Sequence, residues 1–185
     1  MKEHRLTYRY AKALLGLAIE ENKVEDCYRD MSLISTICFE SRELTNFLKS
    51  PIIKTTTKKI VLKEVFSRKI TEISEKFINI ITTKKREYLL PEIAKNVISL
   101  YKQHNNIESA TVITAFPLDE ALREQIISFV KKETSKKVDL EEVVKKSIIG
   151  GAIIRMNNKQ LDASISRTMN ELKQTFNQNL YIKDF

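Results

Sequence analysis

The sequence predicts a mostly α protein with a small α/β part. An N-terminal six-helix bundle over residues 1–105 is followed, over residues 106–185, by a small sheet with packed helices. Three observations point there. The 185-residue chain holds only 3 Gly, 3 Pro and no Trp, and 30% of it is charged, a composition that favours helices. Apolar residues recur at helical spacing as far as about residue 103. From residue 107 the period changes, and Thr111, Val112, Ile113 and Thr114 form a consecutive β-branched run.

The first helix is read over residues 6–20. Tyr10, Ala13, Leu14, Leu17 and Ala18 form one stripe, and Ala11, Leu15 and Ile19 fall largely outside it. A helix apolar around most of its circumference must be covered around most of it. It is therefore either the central helix of the bundle or a helix half in the core and half under a partner. Residues 24–40 make a second helix on Val24, Cys27, Tyr28, Met31, Ile34 and Cys38. A short third, 43–48, ends before Pro51. A fourth covers 58–66. The fifth, about 72–84, carries Ile73, Phe77, Ile80 and Ile81 as its stripe, broadened by Ile78. Pro91 suits the start of a sixth, 92–103, with Ile93, Val97, Leu100 and Tyr101 inward.

Asn105-Asn106 signals a turn into a strand, 107–116, that Pro117 ends. Asp119 then caps a helix with Leu122, Ile126, Phe129 and Val130 on one face. Strands follow at 138–143 and 149–156, and Asn157-Asn158 makes a hairpin turn into 159–161. Asp162 or Ser164 caps a last helix, with Ile165, Met169, Leu172 and Phe176 on one stripe.

Chemistry of the chain's own is hard to place. His4 and His104 have no Cys or carboxylate at metal-ligand spacing, so no metal is expected. On one helix, Cys27 and Cys38 stand about 16 Å apart, beyond the roughly 7 Å a disulfide spans. They read as small buried hydrophobes, and no His marks either as a nucleophile. Gly150-Gly151 is the only Gly pair, and 3 Gly in all cannot build a phosphate loop or a dinucleotide fingerprint. The pair reads instead as a structural feature, a bulge or a close backbone approach. No cofactor, small-molecule substrate or catalytic site is expected.

Residues 1–105 carry 20 Lys+Arg against 13 Asp+Glu, a net +7, and residues 106–185 carry 12 against 11, a net +1. The basic front half admits a nucleic acid, an acidic protein or an anionic membrane as neighbour. The basic clusters, Lys58-Lys59, Lys84-Lys85-Arg86, Lys131-Lys132, Lys136-Lys137 and Lys145-Lys146, are dispersed and lack interleaved aromatics. No run reaches the roughly 18 apolar residues of a transmembrane helix, and the N-terminus reads as a cytoplasmic start.

Several short motifs then stand in one order. Arg9-Tyr10-Ala11-Lys12-Ala13-Leu14 opens the first helix, and Leu90-Pro91-Glu92-Ile93 opens the sixth. Thr114-Ala115-Phe116-Pro117-Leu118 closes a strand, and Ile149-Gly150-Gly151-Ala152-Ile153-Ile154 and Leu161-Asp162-Ala163-Ser164-Ile165 end the series. Over residues 8–176 the chain resembles the delta-subunit family of bacterial F-type ATP synthases, relatives of the mitochondrial oligomycin-sensitivity-conferring protein. The resemblance implies a non-catalytic stator subunit of the peripheral stalk, on the cytoplasmic face of the inner membrane and held to the membrane through the complex. It implies an alpha-subunit N-terminal helix in a groove of the first and fifth helices, and the C-terminal region of the b subunits on the α/β part. It also implies no nucleic acid.

Joined to the apolar stripes, this places the alpha-subunit helix against Tyr10, Ala13, Leu14 and Leu17 on one wall and Phe77, Ile78 and Ile81 on the other. The alternative for each residue is the bundle core. Gly150, Gly151 and Asp162 are expected to be structural. Many members of the family the chain resembles have Gly or Asn before the Arg that precedes the Leu-Pro motif, whereas this chain has Lys85 before Arg86. The competing reading, motivated by the basic front half, is a helical nucleic-acid-binding module with an α/β appendage.

Overall fold

The structure, a computed structural model, describes residues 2–66, 69–134, 136–156 and 159–177. The chain divides into two units, Met1–Asn105 and Asn106–Phe185.

The first unit is built from α1 (Lys2–Glu20), α2 (Val24–Glu40), α3 (Arg42–Lys49), α4 (Thr55–Phe66), α5 (Glu72–Thr83) and α6 (Leu90–His104). A single 3-10 turn, Glu87–Leu89, leads into α6. α1 begins about a turn before its apolar pattern, because polar residues complete a helix without signalling it. The spine is α6, which packs against both α1 and α2. Ala11, Leu14 and Ala18 meet Met31, Ile34, Ile81, Ile93, Ala94 and Val97 in one core. Cys27 and Cys38 are buried in it. Burial, joined at Cys27 by the charge of Asp30, pushes their thiols up to about 12 and about 11.

The helix ends are set by local chemistry. Ser41 closes α2 through its N–H to the Ile37 carbonyl, 2.9 Å. The same residue opens α3, its Oγ accepting from the Leu44 N–H at 3.1 Å. The α5 N-terminus is held from another helix: Asp30 of α2 accepts from the Thr71 N–H at 2.9 Å and from Thr71 Oγ1 at 2.6 Å. This keeps a buried carboxylate hydrogen-bonded.

One buried ion pair ties three segments together. Lys58 Nζ of α4 donates to Glu87 Oε1 at 2.6 Å and to the Leu48 carbonyl at the end of α3 at 2.8 Å. The two side chains are only 4% and 7% exposed.

The second unit runs β1 (Ile107–Thr114), α7 (Glu120–Thr134), β2 (Lys137–Val144), β3 (Gly151–Met156), β4 (Lys159–Ser164) and α8 (Ile165–Asn177). The sheet order is β2-β1-β3-β4. β1 and β2 are parallel and joined through α7, while β3 pairs antiparallel with both β1 and β4. One small core joins Ala110, Val112, Ile154 and Met156 of the sheet to Val130 of α7. Another joins Ile113 to Ala115 and Ile148. β1 is shorter than predicted, since Thr114 Oγ1 donates to the Phe116 carbonyl at 2.7 Å and the chain turns there. The predicted Asn157-Asn158 turn lies outside the described residues.

Both apolar stripes of this unit are largely left exposed. On α7 only Val130 is buried and Ile126 half-buried, while Leu122 and Phe129 are exposed. On α8 the whole stripe of Ile165, Met169, Leu172 and Phe176 is exposed. Periodicity identifies an apolar face but does not say whether the same chain covers it.

The glycine pair makes a close approach. Ile149 sits at φ 67, ψ −45, and the Gly150 N–H reaches the Ile148 carbonyl at 2.7 Å, a strained γ-turn. Gly151 follows at φ 76, and a Cβ there would lie 2.1 Å from the Ala163 carbonyl oxygen on β4. A Cβ on Gly150 would meet Ile165 Cδ1 at 2.7 Å. Ser164 caps α8, its Oγ accepting from the Arg167 N–H at 3.3 Å. Asp162 instead accepts from the Ser164 N–H at 3.0 Å. Hydrogen bonds from the Ser164 side chain and backbone hold its carboxyl below the usual range.

Gly151→Ala is expected to destabilise the chain by roughly 2–4 kcal/mol through backbone strain and the clash with Ala163, measured by urea unfolding. Lys58→Ala, which strands Glu87, should cost about 3–5 kcal/mol. The double variant Lys58→Met/Glu87→Leu should recover most of that loss in the same assay.

Candidate partner-binding site

α1 is apolar on two faces, and the bundle uses one of them. Thr7, Ala11, Leu14, Leu15 and Ala18 are buried. Asn96 of α6 donates to Thr7 Oγ1 at 2.9 Å and fixes the rotation of α1 at that point. Turned out along its flank are half-buried Tyr10, exposed Ala13 and Leu17, which is 44% exposed. They lie at successive steps of three and four residues, so they share a stripe.

This flank borders α5. Tyr10 and Phe77 meet edge-on, with ring centroids 6.4 Å apart and planes at 71°. Near the other end of α1, the charges of Lys23 and Glu21 act on Glu72 and Lys76 in the first turns of α5. The two helices are therefore antiparallel, with Tyr10 beside the middle of α5 and Leu17 toward its start. Ile80, on the outer side of α5, is 54% exposed. Tyr10, Ala13 and Leu17 of α1 and Phe77 and Ile80 of α5 are therefore the candidates for the two walls of an apolar groove along this border.

Arg86 closes one end. Its Nη1 donates to Tyr10 Oη at 2.7 Å, and the guanidinium carbon lies 5.7 Å from the Tyr10 ring centre. Arg86 is placed by the end of α5. The Arg86 N–H bonds the Ile81 carbonyl and the Lys85 N–H bonds the Thr82 carbonyl, each at 3.0 Å, with Lys85 at φ 56. That is a helix C-terminus of the Schellman type, whose left-handed position favours Gly or Asn. The departure at Lys85 therefore keeps the loop shape and costs only local strain.

Leu14, Ile78 and Ile81, among the residues expected to face the partner, are buried within the bundle. Leu14 and Ile81, each 1% exposed, are core residues of the bundle. Ile78 lies on the far side of α5, where it lines a separate cleft of about 510 Å³ with Ile60, Leu62 and Phe66 of α4. Phe77 is buried but reaches the groove through Tyr10. Ile80 and Arg86 were not predicted as groove residues. Ile80 belongs to the apolar stripe of its helix, but it stands about 100° from Ile81. Arg86 carries a polar signal that an apolar search passes over.

The sequence matches the family described as ATP synthase delta (OSCP) subunit over residues 6–176, across both units. The chain belongs to this family. It is 38% identical over 182 residues to the ATP synthase subunit delta of Christiangramia forsetii, covering 98% of each chain. It is 35% identical over 169 residues to that of Clostridium botulinum, covering 91% of this chain and 94% of the relative. The delta subunit of Flavobacterium psychrophilum is 33% identical over 174 residues, covering 94% and 98%. A chain in the cryo-EM structure of the Toxoplasma gondii mitochondrial ATP synthase hexamer shares the fold. Its TM-score is 0.73 at 21% identity, covering 92% of this chain and 97% of that one.

Leu14→Glu should collapse the helical signal or lower the melting temperature sharply, because it buries a charge in the core. Leu17→Glu, three residues on, should leave far-UV circular dichroism and melting within a few degrees of the parent.

Proposed function

We propose that this chain is a stator subunit of an F-type ATP synthase. As part of the peripheral stalk it keeps the catalytic head from turning with the rotor, so that torque drives proton-coupled ATP synthesis. Membership of the delta-subunit family over 6–176 carries this reading. The chain is non-catalytic, and its work is static binding at two places. The groove of α1 and α5 takes the N-terminal helix of an alpha subunit, on Tyr10, Ala13, Leu17, Phe77 and Ile80. The C-terminal region of the b subunits engages the α/β unit, where the exposed stripe of α8 supplies apolar surface. Static grip of this kind comes from a few apolar anchors within a larger contact.

The protein sits peripherally, on the cytoplasmic face of a bacterial inner membrane, and reaches the membrane through the complex. Among the described residues no helix is long and apolar enough to cross a membrane. The nucleic-acid reading gains no support from the family match. The groove's walls also offer a helix apolar contacts rather than a phosphate track.

Titrating the full chain with a synthetic alpha-subunit N-terminal peptide should give saturable binding. Leu17→Glu should weaken that binding at least about tenfold, the loss of one apolar anchor. Absence of binding to the parent chain, or equal binding to single-stranded DNA that disappears with added salt, would sink the reading.

A further inference from the structure

A second cavity, of about 760 Å³, opens where the end of α3, the start of α4 and the α5–α6 connection meet. Lys49, Lys54, Thr55, Lys58, Lys85 and Glu87 help to line it, and Glu87 is the one acid among the described lining residues. Lys49, Lys54 and Lys85 are exposed. The first turn of α4, which meets the cavity at Thr55, holds no acidic residue. A helix N-terminus beside lysines favours an anion. By themselves, however, these groups make no more than a basic surface.

The buried pair in its wall adds a second demand. The Lys58 and Glu87 side chains are 4% and 7% exposed. Lys58 Nζ occupies Glu87 Oε1, while Glu87 Oε2 is buried without a hydrogen-bond partner. An unmet buried acceptor of this kind is costly. An ammonium has three donors, and two protein acceptors take them up here, Glu87 Oε1 and the Leu48 carbonyl. The wall therefore offers one acceptor and one donor side by side. The terminal torsion of a Glu side chain is soft, so Oε2 meets a ligand with little rearrangement. A cation would suit Oε2 but be repelled by the four lysines. An anion with acceptors alone would suit the lysines but be repelled by Oε2. An anion that carries its own O–H suits both.

We propose that this cavity binds inorganic phosphate as hydrogenphosphate. Its P–OH donates to Glu87 Oε2, a short and strong bond to an ionised acceptor. Its other oxygens accept from Lys58 and from the lysines at the rim. This goes beyond the stator reading and does not rest on it. It also gives Lys85 a reason. A position at φ 56, which Gly or Asn would relax, is held by a residue that lines the cavity. The buried ion pair gains a reason too, since a well-packed apolar pair of similar volume is often as stable. Bound phosphate ties the ends of α3 and α4 to the connection that follows α5.

The test is calorimetric titration of the full chain with phosphate, arsenate and sulfate at constant ionic strength. Phosphate and arsenate keep an O–H at neutral pH and should each saturate one site. Sulfate has none and should bind at least about tenfold more weakly. Methyl phosphate should behave like sulfate at about pH 8 and like phosphate below its second pKa of about 6. Amide NMR shifts on adding phosphate should centre on Thr55, Lys58 and Glu87. The double variant Lys54→Gln/Lys85→Gln, at two exposed sites, should fold as the parent does and weaken phosphate at least about tenfold. Glu87→Gln, whose amide donates to any oxyanion, should bind sulfate as well as it binds phosphate. If that variant folds poorly, the anion series on the parent chain still decides. Absence of saturable phosphate binding would mean that Glu87 Oε2 meets only water, and the proposal would be wrong. Equal affinity for sulfate, or phosphate binding unchanged in the lysine double variant, would overturn it as well.

Discussion

The rotational setting of α1 is the constraint from which its exposed apolar flank follows. Ala11 and Ala18 are fully buried and small, which lets α6 approach closely, and Leu14 fills the space between them. The Thr7–Asn96 hydrogen bond fixes the same rotation with a directional contact, which apolar packing lacks. Once that face is inward, Tyr10, Ala13 and Leu17 have nowhere to go but the flank beside α5. A rotation of one residue, about 100°, would carry this flank inward and turn the core face out.

Much of this was legible in the sequence. The six helices, the strand-rich change after residue 106 and the capping of α8 near Asp162 and Ser164 all follow from spacing, Pro positions and turn residues. Helix faces were less legible. On α1 and α5 apolar residues occupy more of the circumference than one core can cover, and periodicity weights Leu14 and Leu17 alike. Only the position of α6 separates them. The neighbours Ile80 and Ile81 make the same point, one exposed and one in the core. On α8 the difficulty is reversed: a clean stripe marks one face, and nothing in the local sequence says that the described chain leaves it exposed.

The glycine pair signals a close backbone approach in the sequence, but the residue before it carries no such signal. Gly150 and Gly151 let β3 come within backbone distance of β4 and of Ile165. Ile149, a β-branched residue at positive φ, bears the strain of the turn, and no propensity rule places it there. Lys85 is the corresponding case in the bundle. Hydrogen bonds at the end of α5 and the anchoring of Arg86 impose a left-handed residue whatever its side chain, so the loop survives without the Gly or Asn that would relax it.

The burial of the two cysteines has a use beyond packing. With their thiols raised to about 12 and about 11, about one in ten thousand or fewer is ionised at neutral pH, and the thiolate is the reactive form. The folded bundle is thus chemically silent toward alkylating reagents, and any opening of α2 away from the core restores ordinary thiol reactivity. The protein carries its own clock for local unfolding. A single cysteine introduced on the outer flank of α1 would stand as the one fast-reacting thiol among the described residues.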